Sequence, residues 1–246
     1  MDDRTYHPST YGDRIAGIYD ELYGAMSDVG SMVSMLAGFA RGGRALELGI
    51  GTGRVALPLA AKGVRVSGVD SSQAMVSQLR AKPGGDAIEV SIGDFSETPV
   101  AGTCSLVFVV FNTLFCLPSQ EAQIRCFKNV AAHLAPGGVF LVEAFVPNLT
   151  RFALGQSTQT THVGTDRVRL DVSRHDPVAQ TITSQQVHIS ESGVKLYPLQ
   201  LRYAWPSELD LMAQLAGLRL RHRVGGWQRE PFTAESGHHV SMYEKL

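Results

Sequence analysis

Between residues 44 and 145, short apolar runs alternate with segments of helical periodicity, and this alternation constrains the fold more than any other feature. Such alternation is typical of βαβ units, in which helices cover a parallel sheet. Apolar residues recur at helical spacing just before Pro136-Gly137-Gly138, and these three residues are expected to stop the helix. We predict strands at 44–48, 65–69, 87–92, 105–111 and 139–145, and helices at 54–61, 72–81 and 120–134.

After Pro147 the pattern changes to the two-residue alternation of antiparallel strands. Val168, Leu170 and Val172 alternate with charged residues, and the dipeptides Asp176-Pro177 and Ser192-Gly193 predict turns. We therefore expect an antiparallel β insertion of three or four strands within residues 158–203. A helix that begins at 206 and ends before 217, followed by strands at 218–224 and 239–244, completes the pattern.

Charge and composition exclude several classes of function. The formal net charge is −1 and supplies no basic surface for a nucleic acid or an anionic membrane. The longest apolar stretch, 106–117, is shorter than the ~20 residues of a membrane span, and no secretory signal opens the chain. The three cysteines form no CxxC pair, and the eight histidines show no ligand spacing, so we expect no metal and a reducing, cytoplasmic setting.

A glycine-rich loop follows the first predicted strand and opens the first helix. Glu47-Leu48-Gly49-Ile50-Gly51-Thr52-Gly53 allows left-handed backbone and close approach of a ligand to unpaired N–H groups. Asp70 ends the second strand, where a carboxylate accepts both hydroxyls of a ribose. Asp94 and Phe95 end the third strand and suit an adenine amino group and ring. Because the carboxyl ends of parallel strands share one edge, the set predicts a nucleotide-like ligand there.

Together with Leu134-Ala135-Pro136-Gly137-Gly138, these motifs resemble those of class I S-adenosylmethionine-dependent methyltransferases over about residues 11–145. The resemblance implies a Rossmann-like, seven-stranded, mostly parallel sheet with helices on both faces, its last strand reversed, plus the antiparallel β insertion. It implies S-adenosylmethionine (SAM) as cofactor, with the glycines beneath the methionine part and Glu47 near its ammonium. The cofactor-binding residues that it implies are Tyr19, Glu47, Gly49, Gly51, Gly53, Asp70, Met75, Asp94, Phe95 and Asn112.

The resemblance divides the chain into three parts. Residues 1–40 form an N-terminal helical lead-in or lid, and residues 41–147 with 204–246 form the Rossmann-like SAM-binding domain. Residues 148–203 form the β insertion, which by analogy covers the substrate or supports a homodimer.

Two alternatives stay open from the sequence. The dinucleotide fingerprint GxGxxG needs glycine at position 54, where this chain has Arg54, which disfavours an NAD(P)-dependent oxidoreductase. A non-catalytic SAM-binding protein is the other alternative, and turnover of any acceptor would exclude it.

The acceptor is expected to be a small molecule, because Asn112 begins Asn-Thr-Leu-Phe rather than the Asn-Pro-Pro-Tyr of enzymes that methylate nucleobase or glutamine amides. Catalysis by alignment of the nucleophile with the methyl group needs no dedicated base. The candidates for a role in catalysis are Tyr11 and Tyr19 of the lead-in, in which a helix is expected over 15–24, and His238 and His239 at the start of the last strand.

Overall fold

The computed structural model describes residues 6–24 and 28–245, so the predicted lead-in is described without 1–5 and 25–27. The helices of this part of the chain are α1 (Thr10–Ile15), α2 (Tyr19–Tyr23), α3 (Val29–Ala40), α4 (Ala56–Ala61), α5 (Gln73–Arg80), α6 (Gln120–His133) and α7 (Pro206–Leu215). The strands are β1 (Arg44–Leu48), β2 (Arg65–Asp70), β3 (Glu89–Ile92), β4 (Cys104–Val109), β5 (Leu134–Phe145), β6 (Gln156–Val163), β7 (Arg167–Asp176), β8 (Thr181–Ser190), β9 (Gly193–Arg202), β10 (Leu218–Val224) and β11 (His238–Lys245).

Seven strands form one sheet in the order β10-β11-β5-β4-β1-β2-β3. Strands β1 to β5 run parallel, whereas β11 pairs antiparallel with both β5 and β10. The predicted mostly parallel sheet with a reversed last strand is therefore confirmed. Strand β1 pairs with β2 on one side and β4 on the other, so the chain order reverses at its carboxyl end. A crevice opens at such a point because successive helices cross to opposite faces of the sheet.

Two apolar cores cover the two faces of this sheet. Leu106 and Phe108 of β4 pack with α3 and α4, whereas Val107 and Val109 pack with α6 and α7. This alternation follows from the two-residue period of a strand and explains why β4 is apolar throughout. The prediction of helices on both faces is thus confirmed.

The region between helix α6 and strand β5 differs from its prediction. Helix α6 ends at His133, and strand β5 begins at once, so Pro136-Gly137-Gly138 lies inside the strand. The pairing of β4 with β5 shifts register there, from Cys104 opposite Leu134 to Leu106 opposite Val139. A proline disfavours helix at the preceding residue, which allows the helix to end early.

The β insertion is a separate antiparallel sheet, ordered β6-β7-β8-β9, which we call the insertion sheet. Four strands form, at the upper end of the predicted range, and the predicted turns connect β7 to β8 and β8 to β9.

The lead-in differs from the single helix predicted over 15–24. It forms two short helices, α1 and α2, separated by a turn at 16–18 in which Ile18 has φ −126° and ψ 0°. The break changes the direction of the chain and lets both helices contact the same cavity. None of the helices in residues 6–24 and 28–245 has the length and apolar character needed to cross a membrane.

Candidate functional site

A cavity of about 370 Å³ lies at the carboxyl ends of β1 to β4, between the seven-stranded sheet, the lead-in and the insertion sheet. The predicted cofactor-binding residues that line it are Tyr19, Glu47, Gly49, Gly51, Asp70, Met75, Asp94, Phe95 and Asn112. Gly53 is absent from this lining, and a Cβ placed on it would meet the side chains of Leu57 and Leu79. Gly53 therefore permits close packing of the core behind the loop instead of facing a ligand.

All three glycines of the loop have positive φ, a backbone conformation that other residues rarely adopt, and for Gly53 φ is +74°. Gly49 and Gly51 have φ +72° and +54°, and a Cβ on Gly51 would lie 3.2 Å from the Met75 methyl group. The carbonyl of Val69 accepts hydrogen bonds from Gly49 N–H at 2.8 Å and Ile50 N–H at 3.0 Å. The loop is therefore held against the end of β2 by its own backbone.

Asp70 connects the glycine loop to the start of α5. Its Oδ2 accepts from Gly51 N–H at 2.7 Å and its Oδ1 from Ser72 N–H at 2.8 Å. Burial raises the pKa of Asp70, which is only 9% exposed, while these two N–H groups act in the opposite direction. A carboxylate has about four acceptor sites, so both oxygens retain capacity for ligand hydroxyls. Asp70 thus has a structural role that the sequence reasoning did not anticipate.

Glu47 is the most deeply buried acidic group of the cavity. Its side chain is 3% exposed, and its Oε2 has no hydrogen-bond partner among the described residues. Burial raises the pKa of Glu47 well above its ordinary value, although Arg54 beside it favours the charged form. A buried acceptor without a partner is unfavourable until a donor occupies the cavity, and the ammonium of SAM would be such a donor. The residues present therefore fit the methionine part of the cofactor.

The side of the cavity next to α5 and β3 suits an aromatic ligand. Met75 is 6% exposed and lies between the glycine loop and Gly12 of the lead-in. Asp94 accepts from Ser96 N–H at 2.7 Å, and Asn129 donates to the carbonyl of Phe95 at 3.1 Å. These bonds fix the loop after β3, so that a carboxylate and two apolar side chains face the cavity together.

The lead-in and the loop after β4 contribute an aromatic wall to the cavity, which consists of Tyr11, Tyr19, Tyr23 and Phe111. The ring centroids of Tyr19 and Tyr23 are 4.9 Å apart, and those of Tyr23 and Phe111 are 5.4 Å apart. The Tyr23 hydroxyl lies 3.2 Å from the Tyr11 hydroxyl and 3.2 Å from the Gln186 side chain on β8. The wall therefore joins the lead-in to the insertion sheet.

Two aspartates fasten the lead-in over the site. Asp13 accepts from the Ser72 hydroxyl at 2.6 Å, at the start of α5. Asp20 accepts from the Thr52 hydroxyl at 2.7 Å and pairs with Lys82 at 2.6 Å. Each aspartate of the lead-in thus contacts a segment that also lines the cavity, which explains how two helices of six and five residues hold their position.

The loop after β4 is held from outside the cavity. Phe111 and Asn112 both have left-handed backbone, with φ +59° and +65°, which is uncommon for residues with a Cβ. Glu143 on β5 accepts from Phe111 N–H at 2.8 Å and from the Trp227 indole at 2.9 Å. The side-chain Oδ1 of Asn112 accepts a hydrogen bond from Phe145 N–H at 2.7 Å, so this side chain supports the loop. Trp227 thus reaches the aromatic wall indirectly through Glu143.

The candidate histidines lie outside the lining of the cavity. His239 on β11 is fully buried and hydrogen-bonds the Ser241 hydroxyl at 2.9 Å. Burial lowers the pKa of His239 to about 4, so its ring is neutral at physiological pH. His238 precedes it at the exposed start of the strand, opposite Phe145. The structure thus gives neither histidine contact with the cavity.

The sequence does not identify every residue of the site. In sequence, Arg54 is only a departure from the dinucleotide fingerprint, but in the structure its guanidinium lies 4.4 Å from the Phe111 ring centroid. Phe111 is the last residue of the strand predicted over 105–111, and the carboxyl end of a parallel strand is a position that signals ligand contact. Gln186 carries no local signal, since only the docking of the insertion sheet brings it to the cavity. Within the described part of the chain, no three His, Cys, Asp or Glu side chains cluster as metal ligands.

Comparison with known proteins identifies a methyltransferase, as the resemblance in sequence implies. A family profile described as "Methyltransferase domain" matches residues 45–138. The chain is similar to the cypemycin N-terminal methyltransferase of a Streptomyces species, with 29% identity over 97% of this chain and 98% of that protein.

Solved structures extend the similarity to the whole chain. The CcbJ methyltransferase of Streptomyces caelestis superposes with a TM-score of 0.92 and 41% identity, over 98% of this chain and 100% of that one. An SAM-bound amino pentose methyltransferase of Micromonospora echinaspora shares the fold with a TM-score of 0.69 at 21% identity, over 93% of this chain and 97% of that one. With the glycine loop and the orphaned acceptor of Glu47, this similarity shows that the chain belongs to the class I S-adenosylmethionine-dependent methyltransferases.

Proposed function

We propose that the methyl acceptor is an amine of a small molecule and that the product is its N-methyl derivative. The observation that carries this proposal is the chemistry of the lining. Among the described residues that line the cavity there is no histidine and no lysine. The three carboxylates, Glu47, Asp70 and Asp94, lie at the carboxyl ends of β1, β2 and β3 on the glycine-loop side. There Asp70 and Asp94 accept hydrogen bonds from backbone N–H groups.

Three further titratable groups of the lining, Tyr11, Tyr19 and Cys116, are poor bases near neutral pH. Burial raises the pKa of Tyr19 to about 12 and raises that of Tyr11 above its ordinary value. Burial also raises the pKa of the Cys116 thiol to about 12. A hydroxyl acceptor would need such a base, because its proton must leave as the new bond forms. A neutral amine is nucleophilic enough to attack before it loses a proton, and its ammonium product is stable, so it needs no such base.

SAM supplies a methyl group on a sulfonium, and the bond from nitrogen to carbon forms as the carbon–sulfur bond breaks. The protein contributes orientation, since the glycine loop and the aromatic wall line one cavity and hold the two reactants together there. Aromatic faces also favour cations, so Tyr19, Tyr23 and Phe111 stabilise the positive charge that appears on the nitrogen. The proton of the product ammonium then passes to water.

The size of the cavity supports a small acceptor. About 370 Å³ falls at the lower end of the ~300–1,000 Å³ typical of small-molecule sites. The names of two similar proteins specify the N-terminus of cypemycin and an amino pentose, and an N-terminus and an amino sugar both carry an amino group. A cytoplasmic setting, in which the three free thiols stay reduced, belongs to the same proposal.

Methyl-labelled SAM tests this proposal with matched pairs of acceptors. Each pair consists of an amine and the compound that has a hydroxyl in its place, for example an amino sugar and the parent sugar. We expect label on the amine only, with a rate that rises with pH through the pKa of the acceptor amine. Label on the hydroxyl member, with the amine silent, would contradict the proposal.

A further inference from the structure

The charged side chains that line the cavity all come from one part of the chain. They are Glu47, Arg54, Asp70 and Asp94, which lie in the glycine loop, directly after it, or at the carboxyl ends of β2 and β3. The rest of the lining comes from the lead-in, the segment after β4 and the insertion sheet. Among the described residues, this second part contains no Asp, Glu, Lys, Arg or His. The cavity therefore has a charged side for the cofactor and an uncharged side.

One end of the uncharged side is apolar, and we call it the apolar end. It is formed by Tyr6, Pro8, Leu117, Pro118, Leu199 and Leu201. Leu199 and Leu201 are two residues apart on β9, so they lie on the same face of the insertion sheet. Between them, Gln200 N–H donates to the Tyr6 hydroxyl at 3.3 Å, and β9 also packs against the short 3₁₀ helix Thr113–Cys116. The lead-in, β9 and the segment after β4 thus meet around this end.

The polar atoms of the uncharged side already have partners within the protein. The Tyr23 hydroxyl lies 3.2 Å from the Tyr11 hydroxyl and 3.2 Å from the Gln186 side chain. Burial raises the pKa of the Cys116 thiol to about 12, so this thiol stays uncharged near neutral pH. On the cofactor side, by contrast, Glu47 Oε2 has no partner among the described residues. The cofactor side therefore requires a polar group from its ligand, whereas the uncharged side does not.

The cations of β9 lie away from the apolar end. Lys195 is on the same face as Leu199 but four residues away, about 13 Å along the strand. Arg202 follows Leu201 on the opposite face, where it pairs with Glu208 of α7 at 2.6 Å. Neither cation lines the cavity. An anionic group beside Leu199 would therefore lose its water without gaining a partner, which is costly.

We infer that the acceptor is a hydrophobic amine, whose alkyl or ring substituent packs on the apolar end and carries no ionised carboxylate or phosphate there. The amino group rests on the proposed function, whereas the hydrophobic substituent rests on the apolar end alone. Transfer of such a substituent from water to this lining is favourable because apolar surface is removed from water. The insertion sheet thus selects the acceptor through Leu199 and Leu201.

Two matched series of amines test the inference without knowledge of the natural acceptor. One series is the n-alkylamines from butyl to hexyl, and the other is the ω-amino acids of the same lengths, in which a carboxylate replaces the terminal methyl group. The rise in melting temperature with amine concentration, at saturating S-adenosylhomocysteine, gives an apparent dissociation constant. We expect the alkylamines to bind about fourfold more tightly per added methylene and the ω-amino acids to bind at least tenfold more weakly. Equal binding of the two series, or alkylamine binding that does not rise with length, would overturn the inference.

Leu199→Lys places a cation in the apolar end and should reverse the preference. We expect the affinity for each ω-amino acid, relative to the alkylamine of the same length, to rise at least tenfold. Leu199→Gln is the control for polarity without charge, and it should weaken the alkylamines without favouring the acids. Val194→Lys adds the same charge on the same strand outside the lining, where Val194 is 62% exposed, and should leave both series unchanged. A folded Leu199→Lys variant with the wild-type preference would overturn the inference, and the wild-type series decides it if that variant does not fold.

Methyl-labelled SAM separates this inference from the proposed function. The acceptors are the same alkylamines and the n-alkanols of equal length. Label on the alkylamines, with a kcat/KM that rises with chain length, would support both. Label on the alkanols alone, with the same dependence on length, would contradict N-methylation and support the apolar end. Label on the alkylamines with no dependence on length would support N-methylation and overturn the hydrophobic substituent.

Discussion

The residues on the glycine-loop side of the cavity come from one stretch of chain, 47–95. The aromatic wall combines tyrosines from residues 11–23 with Phe111, and it is hydrogen-bonded to Gln186 of the insertion sheet. On the first side, polar contacts join residues of this same stretch, as Asp70 does with Gly51, 19 residues away, and with Ser72. On the second, they join side chains far apart in sequence, as Tyr23 does with Gln186.

This difference assigns separate tasks to the two sides. Short loops close at small entropic cost, so the glycine-loop side is set largely by local conformation. The aromatic wall exists only when the lead-in and the insertion sheet are both docked. We therefore expect substitutions on the first side to change cofactor affinity and substitutions on the second to change the KM of the acceptor. Tyr19 is the exception, because its hydroxyl interacts with Arg54 beside Glu47 on the first side.

The largest effect is expected for Asp70→Ala. The change removes acceptors for the ribose hydroxyls and leaves the buried N–H groups of Gly51 and Ser72 without partners. We expect a loss of about 1–3 kcal/mol in cofactor binding, together with a lower melting temperature. Calorimetric titration with S-adenosylhomocysteine measures the first quantity and thermal melting the second. Unchanged affinity would mean that the ribose binds elsewhere.

Glu47→Gln should weaken cofactor binding by about 1.5–3 kcal/mol, because a charged acceptor for the ammonium is lost. Burial raises the pKa of Glu47 in the free protein, and a bound cation favours the carboxylate. Cofactor binding therefore releases a proton, and affinity rises with pH up to the raised pKa. Calorimetry in two buffers of different ionisation enthalpy detects this proton. A proton release that persists in Glu47→Gln would assign it to another group.

Glu143→Gln tests whether the aromatic wall is positioned from outside the cavity. A glutamine presents one oxygen instead of two, so Phe111 N–H or the Trp227 indole loses its acceptor. We expect kcat/KM to fall about 5- to 30-fold through acceptor KM, equivalent to about 1–2 kcal/mol, with cofactor affinity unchanged.

Trp227→Phe is the matched control for that variant. It removes the indole N–H but leaves the bond from Phe111 to Glu143 intact, so its effect should be smaller. If Glu143→Gln lowered cofactor affinity by the same factor as kcat/KM, the variant would be destabilised as a whole, and Glu143 would not be a positioning residue.

Tyr11→Phe and Tyr19→Phe should have smaller effects that differ in kind. Each variant keeps the ring and loses one hydroxyl, at about 0.5–1.5 kcal/mol or 2- to 12-fold in kcat/KM. The Tyr11 hydroxyl contacts Tyr23, so acceptor KM should rise. The Tyr19 hydroxyl interacts with Arg54 close to Glu47, so cofactor affinity should fall. If kcat/KM stayed within twofold of wild type for both variants, neither hydroxyl would contribute to binding or catalysis.

Chelation should have no effect at all. Neither side of the cavity carries a ligand set suited to a divalent ion among its described residues, and displacement at a sulfonium needs none. Activity lost in EDTA and restored by magnesium would reveal metal-assisted activation of the acceptor.

The sequence by itself determined the parallel sheet and the glycine-loop side of the cavity. Apolar runs of strand length, Ser72 and Ser119 as helix caps, and glycines with positive φ all act within a few residues. Their preferences are therefore visible in the chain without knowledge of the fold. Asp70 and Asp94 could be assigned to the site because parallel strands end at a common edge.

Only the tertiary structure decided the aromatic wall and the role of Asp70 within the protein. Gln186 and Trp227 lie far along the chain from the residues that they support, and no local preference records such a contact. His239 looked like a base in sequence, but burial on β11 leaves it neutral and away from the cavity. Contacts between distant segments depend on how the elements dock, and docking depends on the whole packed core, which no short stretch of sequence contains.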